Sequence, residues 1–461
     1  MDNCTQLDNC TQLDKDTMGF KLRPHQAEGV KWILDREMNK KPKGGMLCDE
    51  MGLGKTLQMI YVISKNKKDR TLIVVPKSIV QQWVSEFQKF APKMIVCAYD
   101  GPHRKFDPEA RVCICPYSVL VDLLEYSWDR VILDEGHEIR NRNSLVHKNA
   151  MRISSPIRWI VTGTPVFNKF RDFVSLCEFI GVTKKTIQAK YDELREELIL
   201  RRVKTDPTEA KLEFRNVELE MYPDEREIYN RAVSELDTCE CILEGILRCR
   251  QVCAWPKMYD PDWEGTTTAK MDTLMCMLKS HPNEKSLIFT QFIEESKEIV
   301  KRTEETLHRK TFLLYGSVED RDSVIQGFKD CKDPGAVFVI QIKTGGVGLN
   351  LQEASRVYIT QPSWNPATEL QAIARSYRDG QTKKVIVKKL IYAECDAVDN
   401  EITELQILKS EICSQVLGDE SIKRQIPEIK FTASSFRVKL GKGKNEDSEE
   451  DSSEDTHSDK A

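Results

Sequence analysis

Ten short apolar runs, arranged in two series, constrain this chain more than any other feature. The first series is TLIVV at 71–75, MIVCA at 94–98, RVCIC at 111–115, RVIL at 130–133 and RWIV at 158–161. The second is LIF at 287–289, TFLLY at 311–315, AVFVIQ at 336–341, RVYIT at 356–360 and KVIVKKLI at 384–391. Short continuous apolar runs separated by helix-periodic stretches describe strands of a parallel sheet buried on both faces. The expected fold class is therefore α/β, with two parallel-sheet lobes. Between the series, at 166–275, the strand signal gives way to charged, helix-periodic segments such as YDELREELILRRVK and MYPDEREIYNRAVSEL. A helical insertion is expected there.

The expected boundaries are a tail at 1–18, a first lobe at 19–180, a helical protrusion and linker at 181–268, a second lobe with a brace helix at 269–425, and a basic then acidic tail at 426–461. The duplicated hexapeptide DNCTQL at 2–7 and 8–13 is too short to make a solenoid. No apolar run approaches the roughly 18 residues of a membrane span, and the N-terminus has no secretory pattern, so neither membrane insertion nor secretion is expected. The 15 cysteines show no paired framework and read as reduced thiols. Cys239, Cys241, Cys249 and Cys253 lack the C-x₂₋₄-C knuckle of a zinc site. Residues 446–461 hold eight acids against one lysine; removing that −7 from the net −4 leaves the remainder near +3. That balance permits a nucleic-acid partner without requiring one.

The chemistry begins at DEMGLGKT, residues 49–56. A short apolar run, Gly45 to Cys48, leads into a glycine-rich turn and then a helix expected over Leu57–Ser64. Glycines let backbone N–H groups wrap a phosphate at a helix N-terminus. Lys55 would reach the β/γ-phosphates and the Thr56 hydroxyl would hold Mg²⁺. Asp49 stands where the general pattern has glycine. Further on, Asp134-Glu135-Gly136-His137 follows the strand Val131–Leu133. Asp134 is placed to hold the metal through water, and Glu135 to activate the attacking water; an acidic helix cap is the plainer alternative. Arg375 and Arg378, three apart, would share a helical face and clamp the γ-phosphate across a cleft, the alternative being ordinary surface charge.

Eight stretches occur in order: LRPHQAEGVKWI, DEMGLGKT, LIVVPKSIVQQW, ILDEGHEIRN, VTGTPVFN, LIFTQF, KTGGVGLNL and SWNPATELQAIARSYRDGQ. Over roughly residues 20–415 this set resembles the Swi/Snf family of DNA-dependent ATPases in helicase superfamily two, closest to its repair-associated branch but without a RING insert. The compact motor would suit a large DNA virus as well as a cell. The resemblance implies two RecA-like lobes, ATP and Mg²⁺ as cofactors, and an enzyme that translocates on double-stranded DNA to remodel protein–DNA complexes. It implies that Gln26 reads the adenine, that Asp49, Gly52, Leu53, Gly54, Lys55 and Thr56 form the cradle, and that Gly346, Arg375 and Arg378 complete the ATP site. Thr162-Gly163-Thr164-Pro165 would link hydrolysis to lobe movement. Pro76, Lys77, Ser78, Thr290, Gln291, Thr344 and Trp364 would face DNA, with Gly345 and Gly348 in a tracking loop. Gly136 replaces the usual alanine, an exchange expected to loosen the turn by at most about 1 kcal/mol.

The implied partners are duplex DNA and nucleosomes or transcription and repair proteins, engaged by a monomeric motor in the nucleus, a viral factory or a virion. A strand-separating DNA or RNA helicase and a non-catalytic DNA- and nucleotide-binding scaffold are the alternatives. Intact Lys55, Thr56, Asp134, Glu135, Arg375 and Arg378 weigh against the scaffold.

Overall fold

The structure, a computed structural model, describes residues 21–163, 170–203, 212–236, 241–345, 350–377, 381–394 and 396–417. The tails, and with them the acidic end, lie outside that set. The apolar runs become strands of two sheets in which every described pairing is parallel. The first sheet comprises β1 (Lys43–Leu47), β2 (Thr71–Val75), β3 (Val96–Ala98), β4 (Val112–Pro116), β5 (Arg130–Asp134), β6 (Ile157–Val161) and β7 (Ile199–Leu200). Their order is β3-β4-β2-β5-β6-β1-β7. The second comprises β8 (Leu212–Leu219), β9 (Ser286–Thr290), β10 (Thr311–Leu314), β11 (Val337–Gln341), β12 (Arg356–Ile359) and β13 (Val385–Tyr392). Their order is β10-β11-β9-β12-β13-β8.

Successive strand residues point to opposite faces, so each run feeds two cores. Leu72, Val74, Val131 and Leu133 enter one cluster of the first lobe, whereas Ile73, Val75 and Ile132 enter the other. In the second lobe Ile288, Val337 and Tyr358 face one cluster, and Leu287, Phe338 and Val357 the other. Two strands depart from the helical reading of 166–275. β7 adds to the first sheet and β8 to the second, so the intervening segment supplies an outer strand to each lobe. β8 escapes a sequence reading because it is an edge strand. Its apolar Leu212, Phe214, Val217 and Leu219 are interleaved with Glu213, Arg215 and Glu218, and no residue in it is fully buried.

Seven helices position or brace the site: α1 (Pro24–Asn39), α2 (Lys55–Lys65), α3 (Val80–Phe90), α4 (Phe170–Ile180), α5 (Ile242–Ala254), α6 (Pro366–Ile373) and α7 (Val398–Leu417). The lobes touch directly. Ala367 of α6 and Cys413 of α7, both second-lobe residues, are buried in a first-lobe core cluster that includes Phe173 and Leu176 of α4. Among the described residues no helix is long and apolar enough to cross a membrane, and no group of His, Cys, Asp and Glu forms a metal cluster. Cys249 and Cys253 are buried in the core of the second lobe.

α1 is fixed to the first sheet by a charge pair removed from water. Glu37 accepts from Arg130 Nε at 2.7 Å and Arg130 Nη2 at 2.5 Å, with both side chains wholly buried. Trp159 Nε1 at 2.9 Å and Asn66 Nδ2 at 2.6 Å satisfy the remaining carboxylate lone pairs. Removing one partner strands a buried charge. Glu37→Ala should therefore lower the unfolding free energy by about 3–5 kcal/mol in chemical denaturation. A loss below about 1 kcal/mol would contradict the pair's role.

Candidate active site between the lobes

A parallel sheet ends all its strands at one edge, and here register aligns three of them. Leu47 of β1 and Asp134 of β5 both lie opposite Val161 of β6. The loops beginning at Cys48, Glu135 and Thr162 therefore emerge side by side. The first contains Gly52 at φ 90° and Gly54 at φ 75°, left-handed conformations that favour glycine. A Cβ on Gly54 would stand 2.4 Å from Gln26 Nε2. That absent volume lets the loop lie against α1.

Lys55 opens α2 and curls back, its Nζ donating to the carbonyls of Asp49 at 2.8 Å and Glu50 at 3.3 Å. Burial pulls its pKa down, opposed by Glu135, Asp49 and Asp134. Asp134 Oδ2 accepts from Trp83 Nε1 of α3 at 2.8 Å, and Oδ1 from the Glu135 N–H at 3.0 Å. Burial and the adjacent Glu135 push its pKa up to about 6. For Glu135 burial works upward too, but His137 and then Lys55 hold the carboxyl below its ordinary value. Glu135 adopts φ 49°, an uncommon backbone for a residue with a side chain. Its Oε2 accepts from Thr162 Oγ1 at 3.2 Å, and His137 Nδ1 lies 3.3 Å from that carboxylate.

From the second lobe, Gln371 Nε2 comes within 3.5 Å of Glu135 Oε1. The space between is a cleft of about 730 Å³, to which the first lobe contributes Gln26, Lys55, Thr56, Asp134 and Glu135, and the second Gln371 and Arg375. The residues suit a nucleotide triphosphate: a left-handed glycine loop, a cation beneath it, and a carboxylate pair beyond. Thr56 and Asp134 offer hard oxygen donors, the type Mg²⁺ selects.

Residues 25–212 match the SNF2-related domain and residues 269–380 the helicase conserved C-terminal domain. The chain belongs to the SNF2 family of helicase-like ATPases. Among its relatives, the "Probable global transactivator" of Orgyia pseudotsugata multicapsid polyhedrosis virus is 28% identical across 87% of this chain and 94% of its own length. An "Uncharacterized ATP-dependent helicase" of Mycoplasma pneumoniae is 30% identical across 87% of this chain and 42% of its own. The "DNA excision repair protein ERCC-6-like" of Homo sapiens is 28% identical across 87% and 41%. This chain thus spans less than half the length of the latter two. A solved Sulfolobus solfataricus SWI2/SNF2 ATPase core in complex with dsDNA is 28% identical, covers 91% of this chain and 99% of that one, and has a TM-score of 0.41.

Several expected positions lie elsewhere in this SNF2 chain. Asp49 is fully buried and does not line the cleft. Its carboxylate is held by Arg202, with Nε to Oδ1 at 2.9 Å and an ion pair through Nη2, and by Gln58 Nε2 at 3.1 Å. The acid that replaces glycine is thus a structural anchor. Leu53 is buried as well; its carbonyl accepts from His25 at 3.2 Å and Gln26 at 3.4 Å. Arg375 is not on a helical face, because α6 ends at Ile373 and Arg375 occupies the turn beyond. Arg378, Gly346, Gly348, Thr164 and Pro165 lie outside the described residues. Gly136 is a packing requirement rather than a loosened turn, since a Cβ there would meet Ile160 Cγ2 at 2.6 Å.

The expected DNA-facing residues separate into two groups. Lys77 and Ser78 are exposed on a single 3₁₀ turn after β2, while Pro76 lines the cleft. Thr290 is fully buried with its hydroxyl 2.6 Å from Ser296 Oγ, so it cannot touch a polyanion. Gln291 donates to Ser363 Oγ at 2.9 Å, Thr344 Oγ1 lies 3.5 Å from Gln341 Oε1, and Trp364 is half-buried beneath Arg250. Sequence reasoning misses Trp83, Arg202 and the role of Gln371. Only the Arg201-Arg202 pair after the apolar Leu198–Leu200 gives a signal, and the charge around it reads as helix.

Asp49→Gly restores the general phosphate-loop pattern but leaves Arg202 without its carboxylate. It should lower stability by about 3 kcal/mol and weaken ATP binding, measured by denaturation and nucleotide titration. Unchanged stability with tighter ATP binding would contradict the anchor.

Proposed function

We propose that this chain is an ATP-dependent translocase on double-stranded DNA that remodels protein–DNA complexes, hydrolysing ATP to ADP and phosphate. The observation that carries the reading is a cleft to which one lobe gives Lys55, Thr56, Asp134 and Glu135 and the other gives Gln371 and Arg375. A site divided between two lobes makes their relative position depend on what occupies it.

In this reading Gln26 reads the base, and the loop N–H groups with Lys55 hold the β- and γ-phosphates. To reach them, Lys55 exchanges its two backbone carbonyls for phosphate oxygens. Thr56 and Asp134 are the residues that would hold Mg²⁺, which would supply charge neutralisation at the phosphates. Glu135 accepts the proton of the attacking water. Thr162 of the first lobe and Gln371 of the second orient its carboxylate, each donating to one of its two oxygens. Arg375 stabilises charge on the transferring phosphoryl group, and Arg378 is assigned the same task from the sequence.

The DNA side is supported by the name of the human repair relative, by the mildly basic body of the chain, and by the exposed Lys77 and Ser78 at the strand-end edge. Phosphate contacts of that kind position a protein on the duplex without reading its sequence. We take nucleosomes, polymerases or repair complexes as the class of object moved, and a monomeric motor in a nucleus or viral factory as its setting. The viral relative matched along 94% of its length supports the viral setting. The mycoplasma relative's name favours a second reading, strand separation, which displacement of one strand from a duplex would reveal.

Glu135→Gln should abolish hydrolysis while leaving ATP binding within about threefold of wild type; equal loss of both would remove Glu135 as the base. Duplex DNA should stimulate turnover more than single-stranded DNA or RNA, without strand displacement. DNA affinity should fall roughly 10³-fold or more between 50 and 200 mM salt if about six phosphates are contacted. A salt-insensitive, sequence-selective complex would contradict the reading.

A further inference from the structure

α5 belongs to the segment between the two domain matches, far in sequence from the catalytic residues. One of its side chains nevertheless reaches the corner from which the second lobe's catalytic helix starts. Arg250 is 7% exposed, with its guanidinium carbon 5.6 Å from the centroid of the Trp364 ring. Its Nη2 donates to the Pro362 carbonyl at 3.2 Å, and Gln361 Nε2 donates back to the Arg250 carbonyl at 2.8 Å. Residues 361–364 are therefore clamped to α5 by two hydrogen bonds and a cation–π stack.

That corner runs directly into α6. Asn365 caps the helix by accepting from Ala367 N at 3.1 Å, and Glu369 accepts from Ser363 N at 2.7 Å. The helix carries Gln371 to within 3.5 Å of Glu135 and stops two residues before Arg375. At 1.5 Å rise per residue, Gln371 lies roughly 10 Å along from Trp364, so a tilt of about 6° at the corner displaces it by about 1 Å. Misplacement on that scale can cost on the order of 10²-fold in rate.

We propose that Arg250 is a positioning residue for ATP hydrolysis: its stack on Trp364 and bond to Pro362 aim α6, and with it Gln371 and Arg375, at the catalytic side of the cleft. The chemistry calls for arginine. A planar guanidinium can stack flat over an indole and donate at its edge in one fixed geometry, which a lysine ammonium, a compact point charge on a flexible stem, does not reproduce. Other contacts keep the corner folded without Arg250. Gln291 donates to Ser363 Oγ at 2.9 Å, Gln406 to the Ser363 carbonyl at 2.5 Å, and Lys409 to the Trp364 carbonyl at 2.6 Å. All three come from the second lobe itself, so loss of Arg250 should appear in the rate before it appears in stability.

The inference rests on the reading that α6 delivers Gln371 and Arg375 to ATP, and the experiment separates the two. Steady-state ATPase is measured on the full chain with saturating duplex DNA for Arg250→Lys, Arg250→Met, Trp364→Ala, Arg375→Ala and the Arg250→Lys/Trp364→Ala pair. The expected result is a kcat at least about tenfold lower in both Arg250 variants, with KM for ATP within about twofold, because the first-lobe cradle is untouched. Adding Trp364→Ala to Arg250→Lys should lower kcat by less than about a further twofold, since both changes break one contact. Wild-type kcat in Arg250→Lys with a slow Arg375→Ala overturns the positioning role alone. Wild-type kcat in Arg375→Ala overturns the underlying site reading and the inference with it. Multiplying effects of Arg250→Lys and Trp364→Ala also overturn the proposal. Arg250→Lys keeps the buried charge near Asp399, Glu295 and Glu369, so it decides the question even if Arg250→Met does not fold.

Discussion

The site depends on strand register. Because β1, β6 and β5 are parallel and in register at Leu47, Val161 and Asp134, their loops begin at one level. A phosphate loop, a hydroxyl and two carboxylates then meet with no further folding decision. A shift of one residue in any of the three would turn its buried side chains to the opposite face. The two-faced cores of the first lobe hold the register against such a slip.

Around this edge the first lobe braces itself with charges withdrawn from water. Glu37 with Arg130 ties α1 to the sheet, and Asp49 with Arg202 ties the phosphate loop to the chain leaving β7. Arg202 also reaches the His25 carbonyl, so the loop, the start of α1 and the last strand of the sheet share one guanidinium. The cost of desolvation offsets much of the attraction in such pairs, so they add little net stability, although removing one partner strands the other charge. The second lobe has counterparts in Lys270 with Asp399 and Lys389 with Glu369. The latter pair sits behind the corner that leads into α6.

How much could be read from the sequence depended on what carried the signal. The central strands were legible because a strand buried on both faces is apolar at every position. β8 was not, since an edge strand alternates with charge. Gly52, Gly54, Lys55, Asp134 and Glu135 were legible because their chemistry is local to a few residues. The partner of Asp49 lies 153 residues away, and no local pattern announces such a pairing. The resemblance therefore places Asp49 in the cradle, whereas its carboxylate holds the loop to Arg202 and Gln58. The resemblance points Thr290 at DNA, yet its hydroxyl is spent inside the lobe. The place of Arg375 could not be foreseen either, because α6 stops at Ile373 while the sequence continues in helix-compatible residues.

The central claim is that one ATP site is built from both lobes. The most direct measurement is a structure of Glu135→Gln bound to ATP, Mg²⁺ and duplex DNA. The account predicts the Arg375 guanidinium at hydrogen-bond distance, about 3 Å, from a γ-phosphate oxygen, with Gln371 still beside residue 135. An ATP held by first-lobe residues alone, with Arg375 and Gln371 turned away, would contradict it.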